Sequence, residues 1–485
     1  MSPRLILTPR RLFVLLLFLA IFAMATQEIA DPDFWWHLRT GQLIWDTGSI
    51  PRTDPFSHTM TGAPWVAHEW LSEALLYAGF ALGGDSALIL IFAGIITITF
   101  WLVYAQSEGR PYLAGFLTLA AALASAISWG VRPQMITLLF GALFLFLLEE
   151  YRSGRRHRLW LLPLLTAIWV NLHGGYLLGP VLIAAYLAGA AVSAWMGRSA
   201  PAMRPLALTL LASGAASLLN PQGPGIWLYP FGTLASAAMQ SYIVEWFSPD
   251  FHQAQFLPLA ALFLLTVITL AVSRRPLDPT DTLLLLGLGF AGLRSARNVP
   301  LFALVAAPIL SRHAVEAIAR SQRGSRWIRS YQGAGSRAGT LLNVALLGLA
   351  LFAAGLKVGT SLRNNHALQT EAFPAAAVEF IQANPPEGKM FNLYRWGGYL
   401  TWRLWPQHSV YIDGRADLYG DAFIETYLQT YRVRPGWDEP LHRFGVEWIV
   451  IDAGSPLATL LDEHSDWARA YRDALAEIFV RPGGR

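Results

Sequence analysis

Long apolar runs alternate with short polar loops over the first 358 residues of the chain. A helix needs about 20 apolar residues to cross a hydrocarbon core of roughly 30 Å, and most of these runs approach that length. The runs, about eleven in number, lie at about 10–30, 84–106, 112–129, 133–149, 158–171, 175–196, 204–219, 255–273, 280–293, 298–317 and 339–358. The pattern predicts a polytopic α-helical membrane protein, with about eleven transmembrane helices in a domain formed by residues 1–358.

Arginine residues collect in alternate loops of this domain. They include Arg10, Arg11, Arg110, Arg155, Arg156, Arg274 and Arg275. The positive-inside rule assigns these loops, and with them the N-terminus, to the cytoplasmic side of a cell inner (plasma) membrane. Residues 31–83 and 220–254, and everything after about residue 359, are then expected on the outer face.

Residues 31–83 form the first outer loop, and their pattern is helical. Apolar residues recur at helical spacing in FWWHLRTGQLIWDTG up to Gly48, and HEWLSEALLYAGFAL repeats the pattern before Gly83 and Gly84. We therefore expect two amphipathic helices that lie in the membrane interface. The tryptophans expected at headgroup depth are Trp35, Trp36, Trp45, Trp65 and Trp70.

The periodicity changes after residue 358. The stretch AFPAAAVEFIQAN is typical of a helix, whereas KMFNL, SVYIDG and EWIVIDA are typical of strands. ARAYRD and AEIFVRP are typical of a closing strand pair. Residues 359–485 are therefore predicted to form a small extracytoplasmic α/β domain, and about 125 residues can bury a core of their own.

Composition narrows the function classes. The chain is 54% hydrophobic and only 14% charged, with a mean hydropathy of +0.39, which excludes an ordinary soluble enzyme. Cysteine is absent, so disulfides and thiolate catalysis are excluded. The net charge of +4 comes from arginines in short loops, so we expect a membrane and no nucleic acid as partner. A Gly-rich phosphate-binding loop is also missing, which gives no support for a nucleotide substrate.

The densest charge follows the first apolar run, in DPDFWWHLRTG. Asp31 and Asp33 can together bind a divalent cation such as Mg²⁺ or Mn²⁺, or one of them can act as a general base. A plainer interpretation is that Asp31 caps the next helix while Asp33 complements its positive N-terminus. His37 lies one turn beyond Asp33 on the same helical face, and Arg39 follows.

A second candidate pair is His68 and Glu69, at the start of the next helix. The imidazole and the carboxylate can ligate a metal, orient Asp33 or bind hydroxyl groups. The alternative is structural, because Glu69 suits the positive end of a helix and His68 stands between tryptophans at an interface.

Further polar residues stand at the outer ends of the apolar runs. They include Arg132, His173, Glu245, Arg294, Arg297 and Asn298. Arg294 and Arg297 interrupt an almost continuous apolar stretch, which is costly unless they face an aqueous cavity or a partner. The phosphate of an anionic lipid fits a guanidinium group, and the alternative is snorkelling or pairing with an acid of a loop.

In the C-terminal region, the stretch YIDGRADLYG places three charged residues after an expected strand. Asp413, Arg415 and Asp417 stand where α/β sheets often carry ligand loops. A turn with an internal Arg–Asp pair explains the same residues more economically.

The order of these parts resembles the GT-C superfamily of polytopic glycosyltransferases. That superfamily includes protein O-mannosyltransferases, aminoarabinose transferases and the catalytic subunits of oligosaccharyltransferases. In these enzymes an acidic motif after the first membrane helix leads into two interfacial helices, and here Asp31 and Asp33 occupy the acidic position. The sequence departs from the family where RWGGYL lacks the Asp of the Trp-Trp-Asp-Tyr-Gly motif. It departs again where Ala67-His68-Glu69 replaces a Lys-Pro-Pro.

The resemblance implies an inverting transfer of a sugar from a polyprenyl-phosphate donor to a glycan, lipid or protein acceptor on the outer face. Asp33 would deprotonate the acceptor hydroxyl, with Asp31, His68 and Glu69 as the other catalytic candidates. The residues assigned to substrate binding are His37, Arg39, Arg132, His173, Glu245, Arg294, Arg297 and Asn298. The donor phosphate would be held by Arg294 or Arg297, with or without a cation.

Two alternatives belong to other function classes. In a lipid or polysaccharide transporter or flippase, Arg132, Arg294 and Arg297 would line a path, and Asp33 would be a coupling site. In a non-catalytic envelope assembly protein, the outer α/β domain would bind partners, and the interfacial helices would be dispensable.

Overall fold

The computed structural model describes residues 7–320 and 337–482. The chain forms two compact units, each assembled from three stretches of sequence. The helical unit comprises the chain up to Gln27, Leu90–Gly223 and Glu245–Ser361. The mixed unit comprises Glu28–Ile89, Pro224–Val244 and Leu362–Arg485. The first outer loop and the C-terminal region therefore belong to the same unit.

Apolar helices make up the helical unit, and two of them continue into the mixed unit. They are α1 (Pro9–Ala25), α3 (Trp70–Gln106), α4 (Tyr112–Ser125), α5 (Gln134–Arg152), α6 (Leu161–Trp169), α7 (Leu178–Trp195), α8 (Met203–Ala216), α11 (Leu257–Val272), α12 (Pro279–Arg294), α13 (Val299–Ala319) and α14 (Arg337–Ala372). Short 3₁₀ turns lie at Ala126–Ser128, Gly174–Leu177, Val244–Trp246, Ala254–Phe256 and Ala296–Asn298. The buried helix α13 packs against α4, α5, α11 and α12, which makes it the centre of this unit.

Each of the eleven predicted apolar runs contains a helix. Among the described residues, six helices are long and apolar enough to cross a membrane. They are Trp70–Gln106, Gln134–Arg152, Gly174–Trp195, Ala254–Val272, Ala296–Ala319 and Gly339–Ala372. Helix α6 has 9 residues and so extends for only about 14 Å, well short of a hydrocarbon core. The count of eleven spans therefore stays a prediction.

The mixed unit adds short helices and one sheet. Its helices are α2 (Phe34–Thr47), the first part of α3, the end of α14, α9 (Tyr229–Ala235), α10 (Ala237–Tyr242), α15 (Ala375–Ala383), α16 (Gly397–Leu404), α17 (Ala416–Tyr431), α18 (Glu439–Phe444) and α19 (Pro456–Glu463). Two 3₁₀ turns are Gly223–Trp227, which starts at the edge of this unit, and Tyr394–Trp396. The sheet consists of β1 (Lys389–Asn392), β2 (Val446–Asp452), β3 (Ala468–Arg472) and β4 (Ala476–Val480).

The order of the strands in the sheet is β1-β2-β4-β3. Strand β2 runs parallel to β1 and antiparallel to β4, and β4 is also antiparallel to β3. The apolar run of β2 is buried, and Ile449 lies between Phe391 and Phe479 in the register. The hairpin of β3 and β4 confirms the predicted closing pair.

The helical pattern of the first outer loop is confirmed. Helix α2 ends at Gly48, which adopts the left-handed conformation that ends many helices. The second predicted helix corresponds to the first part of α3, and the helix is broken at Gly83 and Gly84 before it continues. Whether these helices lie in a membrane interface stays a prediction.

Two sequence-based expectations are wrong. SVYIDG is not a strand, because it makes a single bridge, between Ser57 and Val410. The side chain of Asn392 instead forms hydrogen bonds with the backbone N–H of Tyr411 and the backbone carbonyl of Ile412. The expectation that all five tryptophans are membrane anchors also fails. Trp35, Trp36 and Trp65 are buried in the core of the mixed unit, whereas Trp45 is exposed.

Candidate active site

Asp33 stands at the N-terminus of α2, where its carboxylate is held by local hydrogen bonds. Its backbone N–H donates to Asp31 Oδ1 at 3.0 Å, and its own Oδ1 accepts from Trp36 Nε1 at 3.1 Å. Phe34, Trp35 and Trp36 are buried, so this end of the helix is anchored. The positive end of the helix also favours a carboxylate here. Asp31 thus orders the turn before α2, whereas the N-cap residue of the helix is Asp33, whose side chain makes no capping hydrogen bond.

Glycines of the C-terminal region let its backbone approach Asp33. A side chain at Gly414 would overlap Asp33 Oδ1, and a Cβ at Gly398 would lie 2.7 Å from the carbonyl oxygen of Pro32. Gly398 belongs to the RWGGYL stretch, and helix α16, which contains it, packs against α2. These glycines therefore fix the position of the acidic segment.

His37 and His68 are joined by the carboxylate of Glu69, which directly precedes α3, and His37 also contacts Glu73 in the first turn of that helix. His37 Nδ1 lies 3.1 Å from Glu73 Oε1, and His37 Nε2 lies 3.5 Å from Glu69 Oε2. Glu69 Oε1 in turn accepts from His68 Nε2 at 3.2 Å. The two helices can approach this closely because Gly41 of α2 packs against the backbone of Glu73. We call these four side chains the histidine–glutamate chain.

Both imidazoles of the histidine–glutamate chain favour the protonated form. Burial lowers the pKa of His68, but the hydrogen-bonded carboxylate of Glu69 more than compensates and raises it to about 9. Burial also opposes protonation of His37, yet its hydrogen bond to Glu73 and the charge of Glu69 raise the pKa above its usual value. The charge of Asp33 acts on His37 in the same direction.

Tyr229 and Asp417 extend this group of polar residues. The ring of His68 lies over that of Tyr229, with 4.1 Å between the centroids. The Tyr229 hydroxyl donates to Asp417 Oδ2 at 3.2 Å. Burial is the main cause that raises the pKa of the Tyr394 phenol, and the negative charges of Asp33 and Asp417 raise this pKa further. The mixed unit thus brings His37, His68 and Glu69 together, and Asp33 lies close enough for its charge to act on His37, while the catalytic roles of these residues stay predictions.

A buried guanidinium holds the segment between Gly414 and the first turn of α17, in which Asp417 lies. Arg415 Nη2 lies 2.6 Å from Asp413 Oδ2, and Nη1 lies 2.7 Å from Asp54 Oδ1, with all three side chains inaccessible. The guanidinium also lies 4.6 Å from the ring centroid of Trp65. The internal Arg–Asp pair is therefore confirmed, and Asp54 is an additional partner.

A separate charged group lies in the helical unit. Arg132 Nη1 is 2.5 Å from Glu245 Oε1, and the guanidinium of Arg297 lies 4.6 Å from the centre of the Trp246 ring. Burial raises the pKa of Glu245, but the charges of Arg132 and Arg297 outweigh burial, and the pKa is lowered. Arg294 is exposed in the last turn of α12. These arginines remain the candidates for binding a phosphate.

Three other predicted substrate-binding residues take part in local structure. Arg39 donates to Gln42 and to the carbonyl of Trp405. His173 accepts from Gly175 N–H at the start of a 3₁₀ turn and contacts Thr137. Asn298 precedes α13 without capping it through its side chain. Substrate contacts by these residues stay predictions.

The predicted cation would need a suitable set of donors. Asp31 Oδ1 and Asp33 Oδ1 already accept hydrogen bonds. Within residues 7–320 and 337–482, no group of three or more His, Asp or Glu side chains could hold a metal ion. A metal at Asp31 and Asp33 therefore stays a prediction.

Sequence reasoning missed Glu73, Tyr229 and Asp54. Glu73 lies four residues after Glu69, so helical spacing alone puts the two carboxylates on one face of α3. Tyr229 and Asp54 carry no such signal, because their partners lie far away in the sequence. Asp417 was singled out, but its partner was not.

Comparisons with known proteins identify the fold. No family model and no curated protein matches the sequence. The chain is similar to the archaeal oligosaccharyltransferase AglB from Archaeoglobus fulgidus, solved in complex with an inhibitory peptide and a dolichol-phosphate. The TM-score is 0.61 at 12% identity, over 91% of this chain and 69% of that one. It is also similar to apo ArnT from Cupriavidus metallidurans, with a TM-score of 0.51 at 12% identity, over 96% and 97% of the two chains. At such identities the likeness concerns the backbone, and it shows that the chain has the GT-C fold.

Proposed function

We propose that the protein is a membrane glycosyltransferase that transfers a sugar from a polyprenyl-phosphate donor, with Asp33 as the general base. The observation that carries the proposal is the position of the Asp33 carboxylate. The carboxylate accepts a hydrogen bond from Trp36, and the backbone of Gly414 packs against it. It also lies close enough to the histidine–glutamate chain for its charge to act on His37. The GT-C fold supports the donor class, since AglB, which shares it, was solved with a dolichol-phosphate.

The reaction follows from the chemistry of a carboxylate beside an acceptor hydroxyl. Asp33 takes the hydroxyl proton while the acceptor oxygen attacks the anomeric carbon of the donor sugar. The bond from that carbon to the phosphate oxygen breaks, and polyprenyl phosphate leaves with the electron pair. Attack opposite the leaving group inverts the anomeric configuration. Trp36 orients the carboxylate through its hydrogen bond.

The histidine–glutamate chain has an electrostatic role in this proposal. His37 lies close enough for its charge to interact with that of Asp33, and its raised pKa keeps it protonated over a wider range. Glu69 joins His37 to His68, so both imidazoles are held in one orientation. Together they set the field around the base without contacting the donor phosphate.

We assign the donor phosphate to the arginines of the helical unit. Arg297 offers a planar guanidinium supported by the face of Trp246, and Arg132 forms an ion pair with Glu245. The distribution of arginines among the loops supports placing the reaction on the outer face of the inner membrane. The sugar and the acceptor follow from neither feature.

The decisive variant is Asp33→Asn in proteoliposomes. Substrates would be a panel of polyprenyl-phosphate sugars together with a membrane extract as the source of acceptor, and the readout would be released polyprenyl phosphate. Loss of the base should reduce release by about 10²–10⁴-fold, because general base catalysis contributes that much. The readout does not require knowledge of the acceptor.

Asp46→Asn is the matched control, because Asp46 is exposed near the end of the same helix. It should release polyprenyl phosphate at the wild-type rate. Crosslinking of a photoreactive polyprenyl phosphate should be equal in all three proteins, which separates catalysis from donor binding. Wild-type turnover by Asp33→Asn would rule out Asp33 as the base.

A further inference from the structure

A cavity of about 540 Å³ lies in the mixed unit, in the size range of small-molecule sites, which is roughly 300–1,000 Å³. Its walls come from the segment before α3, from α9 and α10, and from the start of α17. The polar and aromatic side chains on its walls are Trp65, Tyr229, Thr233, Ser236, Asp417 and Asp421. We call it the acidic cavity.

The lining of the acidic cavity carries negative charge. Asp417 and Asp421 both face it, and in the part of the chain that the structure describes neither Lys nor Arg lines it. Asp421 is held in place, since it accepts from Ser236 Oγ at 2.6 Å and from the N–H of Ala237 at 2.9 Å. Carboxylates without cations in the wall repel a phosphate or a sulfate.

The same lining suits hydroxyl groups. Carboxylate oxygens accept hydrogen bonds from hydroxyls, while the Tyr229 and Ser236 hydroxyls can both donate and accept. The ring of Tyr229 offers apolar surface for the C–H face of a sugar ring, and the largely buried Trp65 closes the wall beside it. Aromatic surface combined with hydroxyls and carboxylates is complementary to a neutral ring that carries several hydroxyl groups. It does not suit an anion, because the carboxylates repel negative charge.

The wall of the acidic cavity is connected to Asp33 through packed side chains. Trp65 contacts Trp36, with 6.3 Å between ring centroids, and Trp36 donates to Asp33. The guanidinium of Arg415 lies over the ring of Trp65. Arg415 follows Gly414, whose backbone lies against Asp33, and precedes Asp417, which lines the cavity from the first turn of α17. The wall of the acidic cavity and the candidate base thus belong to one packed group of side chains.

We propose that the acidic cavity binds a neutral saccharide, and that this saccharide is the group that accepts the transferred sugar. The acceptor role rests on the proposed glycosyltransferase function, whereas saccharide binding does not. Tyr229 and Asp417 form hydrogen bonds with hydroxyl groups of the ligand, and the part of the cavity wall next to Trp65 packs against the sugar ring. The lipid phosphate of the donor is bound elsewhere, because the charge of this cavity excludes it.

Saccharide binding can be measured on the full chain in nanodiscs with a glycan array. The probes are neutral oligosaccharides and the same oligosaccharides carrying a phosphate or a uronic acid. We expect binding to neutral members and loss of binding when an anionic group is added. No binding to any neutral saccharide, or a preference for the anionic forms, would overturn the proposal.

Variants connect that binding to the acidic cavity. Gly232→Leu should fill it, because Gly232 lines it and a Cβ there meets nothing within 4 Å. Tyr229→Phe and Asp417→Asn each remove a hydrogen-bonding group, and each should weaken binding by about tenfold or more. The matched controls are Gly214→Leu, at a helical glycine with equally open surroundings, and Asp438→Asn, at an exposed carboxylate. Equal binding by Gly232→Leu and wild type would place the saccharide elsewhere.

The two proposals fail in different ways. Asp33→Asn should still bind neutral saccharides, since Asp33 does not line the acidic cavity. If Asp33→Asn keeps its turnover while cavity variants lose saccharide binding, the assignment of the base fails and the saccharide site stands. If Asp33→Asn loses turnover while the wild type binds no neutral saccharide, only the cavity inference fails.

Discussion

In the helical unit, Arg152 and Arg312 share the carboxylates of Asp281 and Glu149, whereas in the mixed unit His37 and His68 share the carboxylate of Glu69. Asp281 lies 2.8 Å from each guanidinium, and Glu149 lies 2.8 Å from Arg152 and 3.7 Å from Arg312. We call this group the arginine network. Both groups bury charge, but the cations differ in chemistry.

A guanidinium keeps its proton at any pH that a protein survives, while an imidazole gains and loses one near neutrality. The arginine network is therefore a fixed set of ion pairs. The histidine–glutamate chain can change its charge, and Glu73 Oε2 is buried there with no hydrogen-bond partner among the residues that the structure describes. Buried titratable groups with shifted pKa values cluster at functional sites, although structural ion pairs shift pKa values as well. We therefore expect the first group to contribute mainly to stability and the second to the proposed chemistry.

The largest effect should come from Asp281→Asn in the arginine network. Arg312 is buried and would keep only Glu149, at 3.7 Å. Breaking a buried pair in this way costs about 3–5 kcal/mol of folding free energy. We expect a clearly lower midpoint of thermal unfolding in detergent, with an unchanged rate of polyprenyl phosphate release per folded molecule.

Asp278→Asn is the control for that variant. Asp278 also pairs with Arg152, at 3.0 Å, but its side chain is 42% exposed, and Asn can still cap α12. Its cost should be below about 1 kcal/mol. If Asp281→Asn instead lost activity at normal stability, the arginine network would belong to the chemistry and the comparison would break.

The second effect concerns activity alone, at Gly414→Ala. The added methyl group would displace the Asp33 carboxylate, and a misplacement of about 1 Å can reduce turnover by about a hundredfold. We expect that loss in polyprenyl phosphate release, with neutral-saccharide binding retained. Gly94→Ala, at a helical glycine with open surroundings, should behave like wild type. Full activity of Gly414→Ala would show that the close approach to Asp33 has no catalytic role.

The sequence alone predicted the elements that depend on local pattern. Each apolar run contains a helix, α2 ends at Gly48, and β1, β2, β3 and β4 lie where β-rich stretches were found. The prediction of a strand at SVYIDG failed because strand propensity does not specify a pairing partner. The side-chain amide of Asn392 forms the hydrogen bonds that a neighbouring strand would have made with this backbone.

The sequence predicted only those parts of the candidate site that depend on local spacing. Helical spacing places His37 one turn beyond Asp33, but the contact of His37 with Glu69 joins α2 to the segment before α3, which spacing alone does not predict. The contact of Gly414 with Asp33 and the approach of Tyr229 to His68 join distant segments of the chain. The buried tryptophans were mistaken for membrane anchors because an aromatic residue near a membrane-like run has the same local pattern in either role.

The smallest effect is a pH dependence of stability that the histidine–glutamate chain can produce and the arginine network cannot. The pKa of His68 is raised from 6.5 to about 9 on folding, so the protonated imidazole stabilises the folded state. That contribution is fully present below pH 6.5 and is lost as the pH rises through about 9. We expect His68→Gln to cost about 1–2 kcal/mol at pH 6 and to match the wild type above pH 9.5.

Thermal unfolding midpoints measured from pH 6 to 10 would show this convergence. His442→Gln is the control, because the His442 side chain is 57% exposed and should leave the pH dependence of the midpoint unchanged. Asp281→Asn should be destabilised equally at every pH in this range, since its arginine partners do not titrate there. A constant difference between His68→Gln and wild type across the range would mean that His68 does not titrate in the folded protein. The two buried charge groups would then be alike, and Asp33 would have to act without a titratable neighbour at His68.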